Sequence, residues 1–218
     1  MYFTAVEEGR IQSAIEQVEA RTGVQVLAAV IGKADHYPEA PWRAFALAAS
    51  LASLVLAIQA ALDPPWIAPV HAAFYAIAVL GVGAAAALAT MLLPPLARLF
   101  IPSARLEGEV EQYARGYFLE REVFGTRERT GILVLVSLFE RKIAILPDAG
   151  LADRLPAGAL AAVGKCMGPQ LSRGARFAAL SAGLNALERT LLAAGFRGAP
   201  GAPDEIPTEL VQGGGVDE

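Results

Sequence analysis

The sequence predicts an α/β domain whose small sheet is covered by helices and which is interrupted by a transmembrane hairpin of two helices. Two uncharged stretches, residues 44–62 and 66–93, lie back to back and are separated only by a short Asp-Pro-Pro break. Polar segments with helix and strand patterns flank this apolar region on both sides. One strand-like run comes before it and two come after it. A sheet built from these runs therefore needs both polar parts, with helices covering its faces.

The first predicted element is an amphipathic helix from about residue 5 to residue 21. Thr4 followed by Glu7 has the spacing of a capping box, and apolar residues then recur at helical spacing. Gly23 comes where such a helix would end in a left-handed residue. The apolar run of residues 24–31 follows at once and predicts a buried strand.

Both apolar stretches are long enough to cross a bilayer, since each membrane helix needs about 20 apolar residues. The loop between them carries no Lys or Arg, whereas Arg43 and Arg98 flank the pair. The positive-inside rule therefore predicts a multi-pass inner-membrane protein with both termini in the cytoplasm. Two buried helices of a soluble protein remain an alternative, although such helices are seldom wholly apolar beyond about 14 residues. Dense small residues in the second stretch fit packing within the hairpin and leave a homo-oligomer open.

Beyond the hairpin, the pattern predicts one helix, a β-hairpin and two further helices. Ser103 can cap the first of these helices, which would run to about residue 124. The chain from residue 198 onward is rich in Gly, Pro and acidic residues and is predicted to be disordered, because it cannot bury enough apolar surface. The remaining elements are strands at 131–137 and 142–146 and helices at 157–167 and 175–194.

These patterns divide the chain into three parts. They are a split cytoplasmic domain of residues 1–42 and 98–197, a transmembrane hairpin of residues 43–97 and a disordered tail of residues 198–218.

Composition excludes several classes of function. The formal net charge is −4 and no basic run occurs, which argues against nucleic-acid binding. One Cys and two His cannot form a zinc cluster, and a single Cys suits a reducing compartment. No nucleophile elbow or structured phosphate-binding glycine loop occurs. Neither apolar stretch contains Asp, Glu, Lys or Arg, which argues against a transport path.

The run TGILVLVSLFERKIAILPDAG at residues 130–150 resembles the central motif of the TPM domain. The resemblance extends over about residues 5–33 and 103–197, and it is to bacterial membrane members with an inserted hairpin. It implies an αβα sandwich around a small mixed sheet. Some plant members are described as acid phosphatases with calcium-binding acidic loops, and others act as assembly or receptor-accessory modules. Many members have acidic residues before the central strand, where this chain has Arg129-Thr130-Gly131.

Two acidic residues after the predicted β-hairpin are the candidate metal ligands. Asp148 and Asp153 are five positions apart, with a glycine between them, and could form a calcium site in a loop. Their ordinary roles would be a turn residue and a helix cap or a solvated side chain. The prediction is therefore that the chain has no metal site and no cofactor, with calcium left open.

Four charged residues are candidate partner contacts. Glu140 and Arg141 fall at the predicted β-hairpin tip and are expected to be exposed there, as a recognition pair, as an anion contact or as an ordinary surface ion pair. Arg127 and Arg129 precede the central strand and could hold a phosphate or lipid headgroup, or simply be solvated.

The function predicted from these observations is a non-catalytic interaction or assembly module that is held at the membrane on the cytoplasmic side. Its expected partners are the lipid bilayer and a membrane or cytoplasmic protein, which would bind the loops at the end of the sheet or the turn at residues 138–141. No catalytic residue is predicted. The alternatives are a calcium-dependent acid phosphatase and a small transporter or channel subunit.

Overall fold

The computed structural model describes residues 2–62, 68–199, 205–207 and 210–216, with side chains left undescribed for residues 68–72. The chain forms two compact units. The α/β unit comprises residues 1–35 and 106–218, and the hairpin unit comprises residues 36–105. The hairpin unit is therefore an insertion in the sequence of the α/β unit.

The α/β unit is built around one sheet with helices on both faces. The elements along the whole chain are α1 (Ala5–Thr22), β1 (Gln25–Lys33), α2 (Glu39–Leu62), α3 (Ala68–Leu92), α4 (Pro94–Leu99), α5 (Ser103–Glu120), a 3₁₀ turn (Val123–Gly125), β2 (Gly131–Ser137), β3 (Lys142–Pro147), α6 (Ala149–Ala152), α7 (Ala159–Ser172), α8 (Arg176–Ala193) and β4 (Leu210–Gly215).

The sheet is mixed and has the strand order β3-β2-β1-β4. β1 is parallel to both β2 and β4, and β2 is antiparallel to β3. In the β1–β2 register Gln25 lies opposite Gly131 and Ile31 lies opposite Ser137. The strand before the hairpin unit thus pairs with the strand after it, as the divided strand pattern predicts.

Each face of the sheet has its own apolar core. On one face, Val26, Val30 and Val134 pack with helices α1, α7 and α8. On the other face, Leu27, Leu133 and their neighbours pack against α5. The central strands are buried on both faces because β1 and β2 are almost continuously apolar. This arrangement confirms the predicted αβα sandwich around a small mixed sheet.

The ends of α1 are set by local sequence. The Thr4 side chain accepts a hydrogen bond from the Glu7 amide, and the Glu7 carboxylate accepts one from the Thr4 amide at 2.9 Å, which confirms the capping box. Gly23 adopts a φ of 72°, and its amide donates to Glu19 O, so the helix ends where the sequence predicts. The chain then passes directly into β1.

Gly131 at the start of β2 fills a position that has no room for a side chain. A Cβ atom added there would lie 2.0 Å from the backbone oxygen of Val123. We expect Gly131→Ala to lower the free energy of unfolding by about 3 kcal/mol, since backbone must move to accept it. Chemical denaturation measures this loss. Gly116→Ala, on α5 with no atom within 4 Å of the added Cβ, is the control and should leave stability unchanged or raise it by up to about 1 kcal/mol.

The predicted disorder from residue 198 onward is wrong for the part that the structure describes. Leu210–Gly215 forms the edge strand β4, paired with β1 from Ala28 to Lys33. Ile206 is buried, with 6% of its surface exposed, in the same core as α5. Composition misleads here because pairing with β1 uses backbone groups, which glycine supplies as well as any residue.

The hairpin unit contains two helices long and apolar enough to cross a membrane. Their candidate spans are Glu39–Leu62 and Ala73–Leu92, with mean hydropathies of 2.1 and 2.0. The two helices approach closely at Gly83, where an added Cβ would lie 2.8 Å from the Phe45 ring. This small residue therefore serves packing within the hairpin. The predicted Asp-Pro-Pro break at residues 63–65 lies outside the described residues.

Two arginines of the hairpin unit make polar contacts near its ends. The Arg105 Nε atom is 2.8 Å from Glu39 Oε1. Arg43 Nη1 donates to the Phe100 carbonyl at 2.7 Å. Most large apolar side chains between these ends, including Leu51, Leu54 and Ile77, are more than half exposed. Such a surface needs an apolar environment to cover it.

Candidate partner-binding site

The turn between β2 and β3 is fastened to the end of β1. The Leu138 amide donates to Ile31 O at 3.0 Å, and the Phe139 amide donates to Gly32 O at 2.9 Å. These bonds continue the parallel pairing with β1 past the end of β2. The predicted tip is thus a fixed structure at the carboxyl end of two parallel strands, a common location for binding sites in α/β proteins.

Glu140 is buried, which corrects the prediction that both charges at this turn are exposed. Only 3% of its surface is accessible. One carboxylate oxygen accepts the Ala34 amide at 2.9 Å, and the other accepts the hydroxyl of Ser137, which is itself fully buried. The carboxylate therefore joins the turn to the chain segment that follows β1. Sequence reasoning missed this role because the amide it binds is far away along the chain.

The residues around Glu140 form what we call the tip surface, consisting of Lys33, Leu138, Phe139 and Arg141. Lys33 Nζ lies 5.1 Å from the centre of the Phe139 ring, within cation–π range. Arg141 is exposed and adopts a φ of 54°, a left-handed conformation. Two cations and a half-exposed aromatic ring are thereby presented on a turn that Glu140 holds in place. Acidic groups complement this surface.

Arg129 and Asp148 form an ion pair with each other. Arg129 Nε and Nη2 donate to the two Asp148 oxygens at 2.6 and 2.8 Å. Asp148 Oδ1 also accepts the Ala149 amide and thereby caps α6. The Arg129 guanidinium lies 5.7 Å from the Phe124 ring. The structure brings these two predicted site residues together, but it engages both of them in an internal contact.

The environment of Asp148 favours its charged form. Burial by itself would raise the pKa of Asp148, but hydrogen bonds from Arg129 and the Ala149 amide, together with the charge of Arg129, outweigh burial and lower the pKa. The hydrogen bonds that Arg129 donates to Asp148 in turn raise the pKa of Arg129. A carboxylate with a lowered pKa stabilises the fold above its ordinary pKa, and this contribution is lost as pH falls through the lowered value.

We therefore expect the stability of the Asp148→Asn variant to depend on pH differently from that of the natural protein. Asn retains an N-cap acceptor but removes the charge. At pH 7 the variant should be less stable, and the difference should shrink as the pH falls below about 4. Urea unfolding at pH 7, 5 and 3 measures it. Asp148→Ala should lose about 1 kcal/mol more through the missing cap. A stability difference between Asp148→Asn and the natural protein that stays constant with pH would contradict the assignment.

Arg127 also makes an internal contact. Its backbone amide donates to Glu205 Oε2 at 2.8 Å, and its side-chain Nε lies 3.5 Å from Glu205 Oε1. The Gln25 side chain accepts the amides of Glu205 and Ile206. Arg127 therefore helps to fix the segment that leads into β4. Its guanidinium remains largely exposed, with 84% of the side chain accessible.

The acidic residues that could have held calcium do not fit that role. Asp148 is the N-cap of α6 and Asp153 is its C-cap residue. Both Asp148 oxygens already accept hydrogen bonds from a guanidinium, whose charge repels a cation. Calcium needs six to eight oxygen ligands, and no group of three or more His, Cys, Asp or Glu side chains converges among the described residues. We derive no chemistry through a metal at this site.

A cleft of about 360 Å³ lies between α5 and the edge strand β3. Its charged lining consists of Glu107, Glu111 and Lys142. Lys142 pairs with Glu107, and Glu111 pairs with Arg115 at 2.6 Å. The charged groups of this cleft are therefore engaged in ion pairs with each other or with the next turn of α5.

The comparison with protein families finds a similarity. Residues 96–190 match the family model described as the TPM domain. This part of the chain is therefore similar to the TPM domain. The match covers α5, β2, β3 and most of α8, and it includes Arg129, Glu140 and Asp148. Helix α1 and strand β1 lie outside the matched residues, although β1 is central to the sheet.

A solved structure shares the fold. The chain is similar to the BA42 protein of the psychrophilic bacterium Bizionia argentinensis, with a TM-score of 0.59 and 14% sequence identity. The alignment covers 98% of this chain and 97% of that one. At this identity the likeness concerns the fold alone. A search of curated proteins found no match to the chain.

Proposed function

We propose that this protein is a membrane-anchored, non-catalytic interaction module. The hairpin unit anchors it in the inner membrane, with both termini in the cytoplasm. The tip surface of the α/β unit binds an acidic segment of a partner protein. One observation carries the proposal: the strands before and after the hairpin unit pair with each other in one sheet.

This pairing supports an anchor that crosses the membrane twice. β1 ends at Lys33 and β2 begins at Gly131, and they can be neighbours only if both lie on the same side of a membrane. Two apolar helices between them satisfy this condition, since an even number of crossings returns the chain to its starting side. Arg43 and Arg98 flank the helices, which supports a cytoplasmic location for the α/β unit.

The use of the charged candidates supports a binding role over a catalytic one. Asp148 is neutralised by Arg129, Glu140 accepts two hydrogen bonds inside the fold, and Arg127 holds Glu205. A hydrolase needs a nucleophile or activated water with a base in reach, and these carboxylates are committed to structural contacts. Arg141 and the tip surface remain on the outside of the unit.

Site-specific photo-crosslinking tests the binding role. A photoreactive residue replaces Leu138 in one variant, which keeps Arg141, and replaces Arg173, which is exposed, in a matched control; both are irradiated in intact cells. We expect a discrete protein adduct from position 138 and none from position 173. Adding Arg141→Glu to the variant with the photoreactive residue at 138 should abolish the adduct, whereas adding Arg173→Glu should leave it. Equal labelling at both positions would contradict the proposal.

A phosphatase assay with calcium provides the second arm of the test. The purified protein is expected to show no calcium-dependent turnover of a phosphate monoester. Calcium-dependent turnover that is abolished by Asp148→Asn would overturn the non-catalytic assignment.

A further inference from the structure

The C-terminal strand β4 is attached to the sheet mainly through its backbone. Its sequence is Leu-Val-Gln-Gly-Gly-Gly, and every residue in it is only partly buried. Leu210 packs against the core on one face of the sheet, and Val211 packs against the core on the other. The last three residues contribute no side chain. Glycine in a strand is also unfavourable, because it loses more conformational freedom on ordering than other residues do.

One side chain fastens β4 to the N-terminal segment. The Gln212 side-chain oxygen accepts the Tyr2 amide at 2.6 Å and the Phe3 amide at 3.3 Å, and its nitrogen donates to Glu8. The Tyr2 hydroxyl also donates to Gly213 O at 3.2 Å. We call the contacts of Gln212 the clasp.

The edge of β1 beneath β4 would be a strong acceptor for another strand. Residues 25–31 of β1 are all buried and mostly apolar. Without β4 this strand would present a row of unpaired backbone groups beside an apolar surface, which is a template for pairing with another chain. A strand that fits this edge needs a glycine at the position of Gly215, because a Cβ atom added there would collide with the Lys33 backbone oxygen.

We propose that β4 exchanges between two copies of this protein, so that the C-terminal strand of one copy completes the sheet of the other. Residues 205–207 and 210–216 fit this edge: Gln25 at the start of β1 holds Glu205 and Ile206, and the glycines at 213–215 lie along the last residues of β1, from Ile31 to Lys33. The same contacts form whether the segment comes from its own chain or from a second copy. Exchange of a terminal element is a low-cost route to dimers.

Two further features favour exchange: the sequence of the segment before β4, and the membrane anchor. Residues 198–203 read Gly-Ala-Pro-Gly-Ala-Pro and join the segment to α8 with no apolar side chain larger than proline. Confinement to the plane of one membrane raises the effective concentration of a second copy. This second argument rests on the membrane anchor of the proposed function, whereas the strand contacts do not.

Isotope-coded crosslinking tests the exchange. Unlabelled protein with a photoreactive residue at Val216, whose amide donates to Lys33 O at 3.2 Å, is mixed with ¹⁵N-labelled natural protein in detergent, reconstituted together in vesicles and irradiated. A crosslink to unlabelled β1 shows that β4 pairs within its own chain. A crosslink to labelled β1 shows that β4 pairs with β1 of a second copy. We expect both kinds, with the labelled fraction rising as the surface density of protein rises. Crosslinks to unlabelled β1 alone, at every density, would overturn the proposal.

Three variants distinguish exchange from random collision, test the role of the clasp and distinguish exchange from partner binding. A photoreactive residue at Arg173 is the collision control and should give no crosslink to labelled β1. Gln212→Ala in the unlabelled copy opens the clasp, and we expect the ratio of exchanged to internal crosslinks after a fixed short time to rise about fivefold, since strand release is easier. Arg141→Glu should leave this ratio unchanged, so that failure of the tip surface as a binding site and failure of exchange give different results.

Discussion

On the proposed membrane anchor, replacing residues 36–105 with a Gly/Ser linker is expected to release the protein from the membrane and to leave its sheet intact. Both apolar helices lie within the replaced residues. A linker of about 12 residues has an average span of about 20 Å and can adapt to the separation of the ends. After alkaline carbonate extraction the natural protein should remain entirely in the membrane pellet, and the variant should be entirely in the supernatant. Circular dichroism and a cooperative thermal transition measure whether the sheet is retained.

A second variant makes this result specific. Replacing only residues 63–67 with Gly and Ser keeps both helices and should leave the protein in the pellet. If carbonate released the natural protein, the hairpin unit would not be embedded in a bilayer. If the soluble variant had no cooperative transition, the two parts of the α/β unit would depend on residues 36–105 for their folding, and the view of the hairpin as an insertion would be wrong.

Glu140→Ala is expected to be the most destabilising change on the surface-facing turns of the α/β unit. It removes the acceptor for the Ala34 amide and for the buried Ser137 hydroxyl. We expect a loss of about 2–4 kcal/mol in the free energy of unfolding, since a buried donor without a partner costs about 1–3 kcal/mol. Urea denaturation of the protein in detergent micelles, followed by far-UV circular dichroism, measures the change.

Two control variants show whether the loss of stability in Glu140→Ala comes from the missing acceptor. Glu140→Gln keeps the shape and one acceptor oxygen and should cost less than half as much as Glu140→Ala. Arg141→Ala removes the neighbouring exposed charge and should change stability by less than about 0.5 kcal/mol. Equal effects of the alanine substitutions at both positions would show that the turn is loosely held and that Glu140 does not fix the tip surface.

Much of the fold could be predicted because its signals are local. The capping box of α1 involves only Thr4 and Glu7, and the end of that helix depends on a single glycine. The continuous apolar run of β2 predicts a strand that is buried on both faces, and the structure begins and ends it at the predicted residues, Gly131 and Ser137. Each of these features is determined by a few residues that are neighbours in the sequence.

The features that could not be predicted depend on residues far apart in the sequence. β4 has little side-chain signal of its own, and its pairing partner β1 lies almost at the other end of the chain. Composition therefore suggested a tail too polar to fold. A short strand of this kind is stabilised by a neighbour already buried in the sheet, which composition does not report.

In the candidate site, too, local features could be predicted and contacts between distant residues could not. That charged residues gather around β2 and β3 is visible in the sequence, but which of them face inward is not. Asp148 finds its guanidinium partner 19 residues earlier, and Glu140 finds its amide donor 106 residues earlier. Charges at turns are mostly exposed, so the general rule fails where a distant backbone group requires an acceptor.

The parallel pairing of β1 and β2 also constrains how the protein is made. Gly131 reaches the ribosome exit 106 residues after Gln25, its partner in the sheet. At about 5–20 residues per second, the newborn chain waits about 5–20 s with β1 lacking its partner β2. On the proposed membrane anchor, the two apolar helices are inserted during that interval, while the α/β unit is still incomplete. Biogenesis then places the helices first and completes the sheet last.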